Sequence, residues 1–105
     1  MGGIILDASI AVHRELGPGL LESAYELALA KELRLRNIPI RTQVPVELMY
    51  KGVALGKAYV MDILVKEEII IEIKSVDVIN PIFESQLITY LKLADKKLGY
   101  LINFT

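Results

Sequence analysis

The chain has 105 residues, enough for one domain with a single modest core. A composition of 53% hydrophobic and 24% charged residues excludes a disordered chain. The absence of cysteine excludes disulfides and thiolate metal sites, and a net charge of −1 excludes the global basic field of a non-specific nucleic-acid binder. Any nucleic-acid contact must then come from a local patch or a partner chain. No apolar run approaches the roughly 20 residues of a membrane span. Met1–Leu16 lacks the basic start and small-residue cleavage site of a secretory signal, so a cytoplasmic protein is expected.

In chain order, Ile4, Ile5, Ala8, Val12 and Leu16 recur at helical spacing and predict a first helix. Gly17-Pro18-Gly19 ends it, because Gly suits a C-terminal cap and Pro cannot continue a helix. A second helix is predicted over Leu20–Arg36, with an apolar surface wide enough to pack on more than one side. After Asn37 the period changes to two: Ile38, Ile40, Thr42, Val44, Val46, Leu48 and Tyr50 alternate with polar residues, giving a half-buried strand. Lys51-Gly52 suits a hairpin turn, and a second strand is predicted over Leu55–Val65. A polar turn at Lys66-Glu67-Glu68 leads to Ile69–Lys74, whose β-branched residues on both faces mark a central strand covered on each side. Asn80-Pro81 starts a third helix running to about Asp95, and Leu98–Phe104 reads as a last strand. The expected fold is an α/β sandwich: N-terminal helices, a three-stranded meander, a helix and a strand, in a single domain over 1–105.

Chemistry is sought where charges interrupt buried strands. Asp62 and Glu72 do so, and an ionised carboxylate there costs several kcal/mol unless it is paired or coordinates a cation. Glu72 and Lys74 are two apart and share a strand face. A hairpin centred on Glu67 would set Asp62 opposite Glu72, and two opposed carboxylates form a natural site for a hard cation, magnesium or manganese. A two-residue turn at Glu67-Glu68 would instead turn Asp62 to the other face. The plain alternative is a cross-strand ion pair of Asp62 with Lys74, with Glu72 reaching an open edge. Two helical pieces add to the set: Gln86 and Tyr90 lie one turn apart on one helix face, and Glu22 opens the second helix with Tyr25 nearby. Read structurally, Tyr25 and Tyr90 are core or boundary aromatics, Glu22 complements the helix dipole and Gln86 is solvated.

These pieces together resemble the GxxExxY family of the PD-(D/E)XK nuclease superfamily. Gly19, Glu22 and Tyr25 match the family's name, and Gln43-Val44-Pro45-Val46, Asp62-Ile63-Leu64-Val65, Glu72-Ile73-Lys74-Ser75 and Leu101-Ile102-Asn103-Phe104 follow in order. Gln86 to Tyr90 is similar to the QxxxY motif of RecB-type exonucleases. Met61 stands where the superfamily's name has proline. Relatives of the family run on past the position of Thr105, so a trimmed or short C-terminus is an expectation.

The resemblance implies a divalent-metal-dependent nuclease with DNA as the favoured substrate. Asp62, Glu72, the carbonyl of Ile73 and Glu22 would hold one or two metal ions, magnesium or manganese. Lys74 would orient or deprotonate the attacking water, while Gln86, Tyr90 and Tyr25 would position the substrate. The alternatives are a catalytically weak accessory module of the same fold and a structural protein with a buried salt-bridge network. Lys31, Arg34 and Arg36, and Lys92, Lys96 and Lys97, form basic helix ends, read either as solvated termini or as a phosphate-contacting rim. The apolar content points to a homodimer, and His13 is expected at the surface of the first helix.

Overall fold

The computed structural model describes Met1–Thr105. Its elements are α1 (Gly2–Leu16), α2 (Glu22–Leu35), β1 (Ile40–Tyr50), β2 (Val53–Val65), β3 (Ile69–Lys74), α3 (Ile82–Ala94) and β4 (Leu98–Asn103). The order is the expected one, and the differences lie at the ends. α1 stops at Gly17, whose φ of 72° suits a residue without a side chain. α2 begins later than Leu20 because the Leu20 N–H is held by the Tyr25 hydroxyl, which keeps Leu20 in the loop. α3 begins at Ile82, whose N–H is donated to Asn80 Oδ1 at 3.0 Å, so Asn80 still satisfies an otherwise orphaned helix donor.

The four strands lie in the order β1-β2-β3-β4. β1 and β2 form an antiparallel hairpin through Lys51 and Gly52, with φ of 50° and 79°, the left-handed pair that a tight two-residue turn requires. That turn brings β2 into pairing at Val53, earlier than the predicted Leu55. β2 and β3 pair as Ile63 with Ile71, Leu64 with Ile70 and Val65 with Ile69, a register centred on Glu67. β4 returns parallel to β3 after the α3 crossover.

The helices cover both faces of the sheet. Ile69, Ile71 and Ile73 face a core made with Ile5, Ala8 and Val12 of α1 and Tyr25, Leu29 and Leu33 of α2. Ile70 faces a smaller cluster with Met61, Leu64 and Leu87 of α3. β3 is thereby buried on both sides up to Ile73, as its unbroken run of isoleucines predicts. No helix is long and apolar enough to cross a membrane.

Candidate active site

The strands stop pairing where the charges begin. Beyond Ile63 and Ile71 no further β2–β3 pair forms, although the register carries Asp62 to Glu72. Instead Asp62 Oδ2 accepts the backbone N–H of Ile73 at 2.8 Å. On the other side of β2, Thr42 pairs with Ile63 and Val44 with Met61, while Gln43 between them adopts φ of 52°. This irregularity coincides with a change of face along β2. Ile63 and Val65 pack under α1 and α2, whereas Met61 packs toward α3. Asp62 lies at that switch and reaches groups on both layers.

Asp62 stands between two other carboxyl groups, Glu72 and Glu26. Glu72 is 8% exposed, and its Oε1 is buried with no hydrogen-bond partner. Burial, then the charge of Asp62 and a hydrogen bond shared with it, push Glu72 up from 4.5 to about 8, against the opposing pull of Lys74. Glu26, on the inward side of α2, is also raised, chiefly by burial and then by Asp62. Two hydrogen bonds of 2.9 Å from the Gln43 amide act the other way on Glu26. Tyr59 closes the α3 side: its hydroxyl donates to the Tyr90 carbonyl at 3.0 Å, and its ring stacks on Tyr90 at 3.8 Å. Burial, followed by the negative charge of Glu72, pushes the Tyr59 phenol up.

Lys74 is on the same strand face as Glu72 and places its Nζ 4.5 Å from the centre of the Phe83 ring. It forms no ion pair with Asp62. The ion pairs are Arg36 with Glu32 and Arg41 with Glu67, both outside the site, so the buried salt-bridge network is not what holds these acids. An acidic group with a buried, unpartnered oxygen and one neighbouring amine is short of positive charge, which is the donor chemistry of a hard cation. No three such side chains stand arranged as a ready metal cage.

The structure does not gather every residue singled out from the sequence. Asp62, Glu72, Ile73 and Lys74 come together, and Tyr90 borders them through Tyr59. Gln86 is exposed on α3 without a hydrogen bond. Glu22 is exposed in the first turn of α2, and Glu26, one turn later on the same helix face, takes the place by Asp62. Tyr25 is fully buried. Its hydroxyl donates to the Gly17 carbonyl at 2.6 Å and accepts the Leu20 N–H at 3.2 Å, while its ring stacks on Phe104. With its ring fully buried and stacked and its hydroxyl bonded twice, Tyr25 fastens the α1–α2 turn and has no free group for substrate. His13 is half-buried rather than on the surface: its ring packs beside the stacked Tyr25 and Phe104, 6.4 and 6.2 Å from their centres, and its Nε2 is buried without a partner. Among the basic helix ends, Arg36 is paired with Glu32 and Lys96 donates to the Glu67 carbonyl at 2.6 Å.

Glu26, Gln43 and Tyr59 were not singled out for the site from the sequence. Glu26 carried a signal in its four-residue offset from Glu22; Tyr59 carried none beyond its nearness to Asp62.

A family model of the PD-(D/E)XK nuclease superfamily matches residues 1–105. No curated protein and no solved structure matches the chain.

Proposed function

Because the chain belongs to the PD-(D/E)XK nuclease superfamily, we propose that it is a divalent-metal-dependent nuclease hydrolysing phosphodiester bonds, DNA before RNA. The observation that carries this reading is the buried Glu72 with an unpartnered Oε1, crowded by Asp62 and with Lys74 beside it. Asp62 and Glu72, with the Ile73 carbonyl, would hold magnesium or manganese, and Glu26 would support them from α2 with Glu22 at the rim. When bound, the cation supplies Lewis-acid polarisation of a phosphate oxygen and an acidified water.

The protein's own groups do the rest. Lys74 orients the attacking water, takes up or relays its proton, and offsets charge developing on the phosphate. The water oxygen bonds to phosphorus as the bond to the leaving oxygen breaks, and a proton ends on that oxygen. Gln86 and Tyr90, the pieces that resemble a QxxxY motif, present an exposed amide and a half-buried ring from α3 to the substrate backbone. Tyr59 braces Tyr90 through its hydrogen bond and stack. A cytoplasmic setting, membership in the GxxExxY family and a homodimer belong to the same reading.

Manganese titration by calorimetry tests the site. Stoichiometric binding lost in Asp62→Ala and in Glu72→Ala is the expected result, and no binding at millimolar metal sinks it. Cleavage of single- and double-stranded DNA and of RNA is then assayed separately. The second reading, an accessory module of the same fold, is favoured by the net charge of −1 and by the internal contacts of Arg36 and Lys96. Metal binding without cleavage of any substrate would select it.

A further inference from the structure

α1 buries Ile5, Ala8, Ser9 and Val12 against the sheet and α2, yet its outward side is also apolar. Leu6 is 60% exposed, and Ile4 and Ile10 are 42% and 41% exposed. A helix apolar on both sides is normally covered on both. Leu6 also borders two cavities, of about 360 and 600 Å³, which share Ile102 and Asn103 of the edge strand β4. The outward face is therefore a ridge with hollows beside it.

The charges on this ridge say what covers it. Asp7 and Arg14 are seven residues apart, which places them on one line along the helix, two turns from each other. Both are exposed and neither forms an ion pair within the chain. An unlike partner would need its own matching pattern. A second copy of α1 laid antiparallel across Ile10 already has it: Asp7 of each chain meets Arg14 of the other, twice, by symmetry. Gly3, with no atoms near the place of its missing side chain, lets the helix ends approach closely.

We propose that the chain forms a two-fold homodimer through the outward face of α1, with Ile10 on the axis and Asp7–Arg14 pairs flanking it. This gives the homodimer of the functional reading its seam, and it rests on that part of the reading alone. Each helix is about 22 Å long, so the contact reaches the roughly 800 Å² per partner of a stable interface only by seating Leu6 of each copy in the other's cavity beside Arg14 and β4.

Sedimentation equilibrium of the full chain tests it, with circular dichroism as the folding control. The wild type should be dimeric with a micromolar dissociation constant, and Ile10→Glu should weaken it by about 30-fold. Asp7→Arg and Arg14→Asp should each weaken self-association about 10-fold by setting like charges together. An equimolar mixture of those two variants should recover wild-type association, because every cross-chain pair is then opposite in sign. A monomer at roughly 0.5 mM, a dimer indifferent to Ile10→Glu, or a mixture that fails to recover would each overturn the proposal. None of these readouts uses cleavage or metal, so their failure is separable from failure of the nuclease reading.

Discussion

The two faces of β3 are built from alternate residues of one short strand and serve opposite ends. Ile69, Ile71 and Ile73 face a dry core under α1 and α2. Ile70, Glu72 and Lys74 face α3, where the apolar cluster is smaller and the last two positions are charged. The first face gains stability from every atom it buries. The second gives some of that up, since Glu72 is buried with an unpartnered oxygen. One strand thus anchors the fold on one side and holds an acidic site short of positive charge on the other. The difference predicts that substitutions on the two faces separate stability from activity.

The largest effect is expected on the charged face. Glu72→Gln should lower cleavage on the order of 10³-fold, about 4 kcal/mol of activation free energy, while the thermal midpoint without metal holds or rises. A single-turnover assay alongside calorimetry checks both halves. If activity and stability fell together, the two faces would not be separable.

The opposite face should answer in the opposite way. Ile71→Ala leaves a cavity under α1 and α2 and should cost about 3 kcal/mol, or about 15 °C in thermal midpoint. Below that midpoint, manganese affinity should be unchanged.

A smaller effect links the faces through pH. Glu72 has a folded value of about 8 against an ordinary value of 4.5. Between these values the native state holds a proton that the unfolded state has released. Stability is therefore greatest below about pH 4.5 for this group and falls as pH rises toward 8. After allowing for solvent at its outer edge, the loss should be about 1–3 kcal/mol. Glu26, also raised, has the same sign. Denaturant melts of metal-free protein from pH 5 to 8 should show the decline, and Glu72→Gln should remove most of it.

How much of this was legible in the sequence depended on periodicity. The face assignment of β3 followed from parity, but the sequence left two turns open, and only the structure's three-residue loop Lys66-Glu67-Glu68 sets the register that carries Asp62 to Glu72. Charges within apolar strands stood out for the same reason. What parity could not show was the change of face at Asp62, which goes with the left-handed backbone of Gln43. Nor could helical spacing choose between Glu22 and Glu26, because residues four apart share a face and only the seating of α2 on the sheet decides. His13 was misplaced because an aromatic with a polar tip satisfies the same pattern at a surface as in a core, while Tyr25 was readable both as a buried aromatic and as a substrate contact.

Tyr25 gives the smallest effect and a clean discrimination. A substrate-positioning tyrosine loses activity when its hydroxyl is removed, whereas a turn-fastening one loses stability. In the structure the hydroxyl bridges Gly17 and Leu20, whose carbonyl in turn accepts the Ser75 hydroxyl at 3.0 Å. Tyr25→Phe keeps the stack on Phe104 and removes only the bridge, for about 1 kcal/mol. Ser75 directly follows Lys74, and the stack on Phe104, whose backbone N–H donates to the Lys74 carbonyl at 2.8 Å, is kept in this variant, so the loosened turn touches the Glu72–Lys74 strand chiefly through the Ser75 hydroxyl. The expected result is a midpoint lowered by about 4–8 °C with cleavage at low temperature within a factor of about 3, or less than 1 kcal/mol. A loss of activity with unchanged stability would return Tyr25 to the substrate and move the boundary of the site across the sheet to the α1–α2 side.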